Sequence, residues 1–349
     1  MSSFHEMVGQ HRPIQILQSI LRTKAVPNAL LFSGEEGIGK RSTAMIFIQT
    51  LLCQEPTHTD DEINPCGHCR SCKRINSGNH TEFFVTEPPD DKSMGTMIKI
   101  DQIRGMQEKI IFEPIETAWK VFLIVPAEKM TLEAQNSLLK TLEEPPHYAV
   151  IILISSKPSL LVPTIVSRCQ KISFSPLSLS QIESILVERK RWTPNEARLA
   201  AALTGGNLGE ALSLEVDKAH VLEEEWNALV KEETLSQYDT LFSTATQFSQ
   251  DAAILEKSFY YLSAYFRDLL VLLAVEDRLQ LDPSYLVLSW RREELLRWAD
   301  RMDVRDVTKF LADITTLQQS FARNINRQLA LETLLMQMRD RLLSTQVTS

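Results

Sequence analysis

Four of the five cysteines of this chain lie within twenty residues of one another: Cys53, Cys66, Cys69 and Cys72. Four thiolates complete a tetrahedral shell around zinc and leave no open position for chemistry, which is typical of a structural site. An iron–sulfur cluster uses similar spacings and is the main alternative, and four free thiols are the simplest one. His68 lies inside the cluster and is interpreted as a solvated loop residue, although a histidine is able to replace a cysteine. We therefore predict a structural Zn²⁺ site.

A second chemical motif is glycine-rich. Residues 34–40, Gly-Glu-Glu-Gly-Ile-Gly-Lys, match the first seven positions of the phosphate-binding loop G-x-x-x-x-G-K. Glycines let backbone N–H groups turn inward around phosphates, and the helix that follows adds a favourable dipole. Lys40 would meet the β- and γ-phosphates as a point charge. The predicted nucleotide-binding residues are Gly34, Gly37, Gly39 and Lys40, against the alternative of a chance glycine-rich turn.

Several groups that ATP hydrolysis requires are missing around this loop. The position after Lys40 normally carries the hydroxyl that ligates Mg²⁺, but here it is Arg41, and Ser42 lies about 100° further round the helix. The strand that should end in Asp-Glu is followed by Val125 and Pro126, and Glu128 comes two residues late. We therefore predict that the loop is vestigial and does not hydrolyse ATP, while binding of ATP or ADP without turnover stays open.

The elements that must position these residues alternate along the first half of the chain. Continuous apolar runs at 29–33, 121–125 and 150–154 indicate strands buried on both faces of a parallel sheet. Apolar residues at helical spacing predict helices over 40–52 and 131–144. Alternating strands and helices predict an α/β domain with a doubly wound parallel sheet.

After Pro176 the strand patterns end and only helical periodicity remains. We predict three domains: residues 1–175 form the α/β domain, with the metal module inserted at about 53–72, residues 176–216 form a small helical domain, and residues 217–349 form a larger all-α domain.

The amino-acid composition and net charge exclude some classes of protein. The chain has 44% hydrophobic and 23% charged residues, as is ordinary for a globular protein. Its formal net charge of −8 argues against a free-standing DNA-coating protein, which needs an excess of Lys and Arg. No apolar run approaches the roughly 20 residues needed to span a bilayer, and the N-terminus lacks the pattern of a signal peptide. We expect a cytoplasmic protein without a membrane partner.

The order of several longer motifs resembles that of a known family. Lys99–Arg104, the run Ala134–Pro146 and the Ser-Arg-Cys motif in Thr164–Cys169 are similar to elements of the delta-prime/gamma family of bacterial clamp-loader subunits, within the AAA+ superfamily. The resemblance implies an AAA+ fold for the α/β domain, a lid for the small helical domain and an oligomerisation collar for the larger one. The twelve residues between Cys53 and Cys66 are more than the zinc module of this family leads us to expect.

The departures from the family pattern indicate a non-motor member. Motor subunits keep the Mg²⁺ hydroxyl, the Asp-Glu pair and a lid arginine, whereas this chain has Gly209 at the lid position. The pattern therefore resembles the delta-prime branch. That resemblance implies that Arg168 is an arginine finger, which acts in trans on ATP bound by a neighbouring subunit. The alternative is an internal ion pair for Arg168, with Cys169 in the core.

The same resemblance implies partners and a process. They are the gamma/tau motor subunits and the delta subunit, with the sliding clamp and primer–template DNA contacted through the assembled complex. The chain would help to load the clamp on primed DNA, as a part of the DNA polymerase III holoenzyme near the nucleoid. Two alternatives remain: an active AAA+ ATPase motor, and a nucleic-acid-binding module that reads DNA with its metal element. Only three basic residues stand next to the cysteines, Arg70, Lys73 and Arg74.

Overall fold

The computed structural model describes residues 3–59, 62–89, 96–231, 234, 236–320 and 326–344. Two compact units follow one another along the chain, Met1–Leu177 and Ser178–Ser349. The division of the second unit into a lid and a collar stays a prediction.

The first unit is built on a parallel sheet of five strands in the order β4–β5–β6–β1–β7. A separate antiparallel pair joins β2 and β3. The strands are β1 (Ala29–Ser33), β2 (Thr57–His58), β3 (Ile63–Asn64), β4 (Phe83–Thr86), β5 (Lys120–Ile124), β6 (Ala149–Ser155) and β7 (Gln170–Ser173). The helices of this unit are α1 (His11–Thr23), α2 (Lys40–Leu52), α3 (Arg70–Asn76), α4 (Ile100–Ile110), α5 (Leu132–Glu143) and α6 (Pro163–Arg168).

The three inner strands are buried along their whole length. Because successive side chains of a strand point to opposite faces, Leu30 and Phe32 of β1 pack into one hydrophobic core, while Ala29 and Leu31 pack into another on the opposite face. Two cores flanking one parallel sheet are the arrangement that the apolar runs predicted, and the α/β fold class is confirmed.

The outer strands β4 and β7 were not predicted. Only Ile172 of β7 is buried, and β4 is partly exposed throughout. Neither strand has the continuous apolar run that marks a strand covered on both faces. Their positions at the two ends of the sheet account for this mixed composition.

The described elements of the second unit are all helical, as predicted. They are α7 (Leu179–Lys190), α8 (Pro194–Leu203), α9 (Leu208–Ser213), α10 (Val216–Leu229), α11 (Tyr238–Gln250), α12 (Ala252–Ala274), α13 (Arg292–Ala299), α14 (Val304–Ser320) and α15 (Arg327–Ser344). A single hydrophobic core joins helices α8 and α10 through α15, and Trp226 stacks on Phe248 within it, with ring centroids 5.1 Å apart. In the part of the chain that the structure describes, no helix combines the length and apolarity that a membrane span requires.

Candidate metal centre and phosphate loop

The four clustered cysteines converge at the end of helix α2. The Sγ of Cys53 lies 3.6 Å from that of Cys66, 3.9 Å from that of Cys69 and 3.7 Å from that of Cys72. All four sulfurs lie within 4.8 Å of one another. A tetrahedral ion with metal–sulfur bonds of about 2.3 Å sets its sulfurs about 3.8 Å apart. The donor set therefore fits a tetrahedral, thiolate-bound metal ion.

Backbone donors surround these sulfurs. The N–H of Cys66 donates to Cys53 Sγ at 3.4 Å, that of Cys69 to Cys66 Sγ at 3.3 Å, and that of Cys72 to Cys69 Sγ at 3.4 Å. Burial by itself raises the pKa of the Cys69 thiol, but hydrogen bonds from the Cys72 N–H and neighbouring donors lower that pKa to about 6. Such donors stabilise the thiolate form, which is the form that binds metals.

The long spacing between the first two cysteines has a structural cause. Strands β2 and β3 lie between Cys53 and Cys66 and pair antiparallel, so the extra residues leave the cluster and return to it. His68 is exposed, and its Nδ1 lies 2.9 Å from the carbonyl oxygen of Cys66. It is not among the four residues whose donor atoms converge.

Helix α3 anchors the cysteine module to the sheet. The hydroxyl of Ser71 donates to the Leu52 carbonyl at 2.6 Å and lies 2.8 Å from His80 Nε2. His80 Nδ1 accepts the backbone N–H of Glu82 at 3.0 Å. This bond makes Nε2 the protonated nitrogen, which donates to Ser71, and burial lowers the pKa of His80. The imidazole therefore joins α3 to the start of β4 in its neutral form.

The phosphate loop follows β1 and has the backbone of a glycine-rich turn. Gly34, Gly37 and Gly39 all have positive φ, at 148°, 75° and 95°. Lys40 is only 6% exposed, and its Nζ donates to the carbonyl oxygens of Gly34, at 2.7 Å, and Glu35. Burial lowers the pKa of Lys40, although the charge of Glu128 opposes that shift. The structure thus brings the four predicted loop residues into one preformed turn.

The positions that normally carry the hydrolytic groups hold other side chains in the structure. The guanidinium of Arg41, at the Mg²⁺ position, pairs with Glu87 at 2.5 Å. Val125 and Pro126 follow strand β5, and their side chains carry no oxygen ligand. Glu128 lies in the short 3-10 turn Ala127–Lys129, and its charge acts on Lys40 of the loop, which the two-residue offset in the sequence did not reveal.

Glu128 is bonded to the residue that follows strand β6. Its Oε1 accepts the backbone N–H of Ser156 at 3.0 Å and also the Ser156 hydroxyl. Burial alone would raise the pKa of Glu128, but these hydrogen bonds hold it below its ordinary value. The carboxylate is therefore ionised at neutral pH.

Arg168 ends helix α6 and forms an internal ion pair. Its Nη2 donates to Glu143 Oε1 at 2.6 Å, and its Nη1 donates to the Thr164 carbonyl at 3.2 Å. Its side chain is 35% exposed. Cys169 packs against one of the two cores, and burial raises its pKa to about 12. Both features of the alternative interpretation, an ion pair of Arg168 within the chain and a Cys169 packed against the core, are thus present. The role of Arg168 as an arginine finger stays a prediction.

Comparisons with known proteins bear on the first unit. A family model described as DNA polymerase III, delta subunit, matches residues 9–178. The delta-prime subunits of DNA polymerase III from Bacillus subtilis and Pseudomonas aeruginosa are 37% and 40% identical to this chain over 205 and 142 residues. Residues 9–178 are thus similar to the delta-prime subunits of DNA polymerase III. The resemblance predicted from the motifs is confirmed over these residues.

The extent of these matches is limited. They span 59% of this chain and of the Bacillus protein, and 41% of this chain and of the Pseudomonas protein. The tau subunit of Bacillus subtilis is 32% identical over 60% of this chain and 37% of its own. The chain thus matches less than two thirds of each relative. A gamma subunit-related protein of Thermotoga maritima aligns over 93% of this chain and 99% of its own, at 18% identity and a TM-score of 0.43.

Proposed function

We propose that this chain is a non-motor, delta-prime subunit of the DNA polymerase III clamp loader, which helps to place the sliding clamp on primed DNA. The observation that carries the proposal is the similarity of residues 9–178 to delta-prime subunits. These residues include a phosphate loop that has the backbone of a nucleotide-binding turn but lacks the side chains that hydrolysis requires. Arg41, Val125 and Pro126 provide neither a Mg²⁺ hydroxyl nor an acid that activates water. The chain therefore takes part in the ring without hydrolysing ATP itself.

The contribution of this subunit to catalysis is made in trans. Arginine suits a finger because its charge is fixed and its planar fork matches phosphate oxygens. A guanidinium has five N–H donors, and Glu143 and Thr164 engage Arg168 through its two terminal nitrogens only. The remaining donors of this partly exposed side chain reach the γ-phosphate of ATP bound by a neighbouring motor subunit.

The metal in the cysteine module is Zn²⁺ with a structural role. Four thiolates close the coordination shell, so the ion stabilises the fold and takes no part in chemistry. A role in reading DNA is disfavoured because Arg74 is engaged by both carboxylate oxygens of Glu116 at 2.9 Å, and Arg70 lies 3.9 Å from the same carboxylate. The partners are the gamma/tau motors and the delta subunit, and the complex contacts the clamp and DNA.

The test is ATP hydrolysis with and without motor subunits. The purified chain with Mg²⁺ and ATP is expected to show no turnover while a motor subunit assayed in parallel does. In the reconstituted loader, Arg168→Ala is expected to slow hydrolysis at the adjoining motor site by about 10³-fold, as for other arginine fingers. Arg22→Ala, which removes an exposed arginine of α1, is the matched control.

Two results would contradict the proposal. Turnover by the isolated chain near the rate of the motor would reclassify it as an active ATPase. If Arg168→Ala leaves ATP hydrolysis by the fully assembled loader unchanged, Arg168 is not an arginine finger. Its role is then the internal ion pair with Glu143.

A further inference from the structure

The loop that follows helix α4 displays large apolar side chains to water. Ile111, Phe112 and Ile115 of this apolar loop, which comprises residues 111–116, are all exposed. Because removal of apolar surface from water is favourable, such side chains fold back onto the protein unless the backbone beneath them is held. The contacts that hold this backbone therefore decide the conformation of the loop.

One of these contacts comes from the cysteine module. Arg74 of helix α3 donates through Nη1 to both carboxylate oxygens of Glu116, at 2.9 Å each. Both side chains are less than a third exposed, and a hydrogen bond between two ionised groups is stronger than one between neutral groups. Helix α3 also carries Cys72, two residues before Arg74. The ion pair therefore ties the end of the apolar loop to a helix that holds a cysteine of the cluster.

A second contact reaches the loop through a relay of buried side chains. Ser71 of α3 lies within hydrogen-bond distance of His80, and His80 accepts the backbone N–H of Glu82. Oε1 of Glu82 in turn accepts the N–H of Ile115 at 3.0 Å. The three side chains of the relay are buried, and hydrogen bonds are stronger in such a low-dielectric environment than in water. A displacement of α3 is therefore transmitted to the backbone of Ile115.

Helix α3 is too short to hold its position alone. It has seven residues, and isolated helices of fewer than about 12 residues are marginal in water. Cys69 caps its N-terminus and Cys72 lies in its first turn, so two sulfurs of the cluster are fixed to its beginning. We propose that a metal ion bound by the four cysteines holds the apolar loop in place through α3. This inference rests on the proposed metal and is independent of the non-motor role of the chain.

The contacts of the first half of the loop do not involve the cysteine module. The hydroxyl of Tyr148 donates to the carbonyl oxygens of Ile110 and Ile111, at 3.1 and 2.9 Å. Lys120 Nζ, from strand β5, donates to the carbonyl oxygen of Phe112 at 3.0 Å. The metal therefore controls the second half of the loop, while the first half stays in place with or without the metal.

The experiment is hydrogen exchange of the full chain, followed by mass spectrometry before and after zinc is removed with a chelator. Loss of zinc is expected to speed the exchange of the Ile115 amide by at least about tenfold, the scale of losing one hydrogen bond to a charged group. The amides of α4 and β5 are expected to keep their rates. Elemental analysis of the same samples counts the metal, so a missing metal is distinguished from a missing coupling.

The coupling also has to act in the reverse direction, because linkage between two equilibria is reciprocal. Glu116→Ala removes the partner of Arg74 and is expected to weaken zinc binding by about tenfold, measured by competition with a chelator of known affinity. Glu113→Ala removes an exposed charge of the same loop and is expected to keep the native affinity. This measurement starts from folded, metal-bound protein, so it decides the question even if full removal of zinc unfolds the whole unit.

Three outcomes overturn the proposal. An exchange rate at Ile115 that ignores the loss of zinc removes the coupling and leaves the metal site standing, and so does a zinc affinity unchanged by Glu116→Ala. A native chain that binds no metal overturns the coupling and the zinc site together.

Discussion

At the scale of single residues, the glycines of the phosphate loop are fixed by their surroundings as well as by their backbone angles. A Cβ built on Gly34 would lie 2.6 Å from the carbonyl oxygen of Phe174, a backbone atom that cannot move aside easily, and its φ of 148° disfavours any side chain. The loop is therefore pressed against the end of β7, and its first glycine is required for packing even if no nucleotide is bound.

We predict that Gly34→Ala lowers the free energy of unfolding by about 1–3 kcal/mol, the cost of a strained backbone position. Gly105→Ala is the matched control, since a Cβ there meets nothing within 4 Å and Gly105 lies inside helix α4. Alanine is preferred over glycine in a helix by about 1 kcal/mol, so this control should be stabilising. Urea denaturation measures both, and equal effects would contradict the packing argument.

The charge of Glu128 gives a second prediction, on pH. Its folded pKa lies below its ordinary value of about 4.5, so the folded state favours the ionised form. The stability contributed by this group is complete above about pH 4.5 and is lost as the pH falls through the folded pKa. The difference in unfolding free energy between the native chain and Glu128→Gln should be constant from pH 7 to 5 and shrink in acid. A difference independent of pH would exclude this linkage.

At the scale of elements, a buried ion pair fixes the segment that joins α4 to β5. Lys120 Nζ lies 3.8 Å from Glu82 Oε2, and both side chains are less than 10% exposed. Lys120 also donates to the Phe112 carbonyl at 3.0 Å, and Glu82 accepts the N–H of Ile115 at 3.0 Å. The pair thus holds a segment whose apolar side chains Phe112 and Ile115 are 69% and 92% exposed.

We predict that Lys120→Met destabilises the chain by about 3–5 kcal/mol, because it leaves the charge of Glu82 buried and unpaired. The double variant Glu82→Gln with Lys120→Met removes that charge and should recover much of the loss. Chemical denaturation of the three proteins measures the effect. If the double variant is no more stable than the single one, the cost lies in packing and the pair has no electrostatic role.

The elements that were predictable from the sequence are those with one dominant pattern. Helix α2 was predicted with the bounds that the structure has, because a glycine begins it and apolar spacing runs to Leu52. The edge strand β7 was missed because Gln170, Lys171 and Ser173 read as a loop. The cysteines were recognisable by spacing alone. The position of Glu128 was not recognisable, because a turn sets it. The pairing of Arg168 with Glu143 was not recognisable either, because the two residues lie 25 positions apart in the sequence.

At the scale of the whole molecule, the candidate functional residues all lie in one of the two units. The four clustered cysteines, the phosphate loop and Arg168 all belong to Met1–Leu177, whereas Ser178–Ser349 holds a core of helices. Metal binding is coupled to folding because the site exists only in the folded unit. The effect of losing the metal is therefore expected to stay within the first unit.

We predict that the double variant Cys66→Ser with Cys69→Ser loses its bound zinc and destabilises only the first unit. Elemental analysis should fall from one zinc per chain to none, and hydrogen exchange should accelerate in α3 while α12 stays protected. Cys169→Ala, which removes the cysteine outside the cluster, should retain the metal. Native protein with neither zinc nor iron would contradict the site, and loss of protection in α12 would contradict the independence of the units.

Helix α2 joins the phosphate loop to the cysteine cluster. Lys40 is its first residue, Leu52 its last, and Cys53 follows directly. Each residue added to or removed from a helix turns its end by about 100° and moves it by 1.5 Å, which would carry the Cys53 sulfur out of its tetrahedron. A metal bound through Cys53 would therefore tolerate substitutions along the helix better than insertions or deletions in it. The tetrahedral site thus constrains the length of an element whose other end carries the phosphate loop.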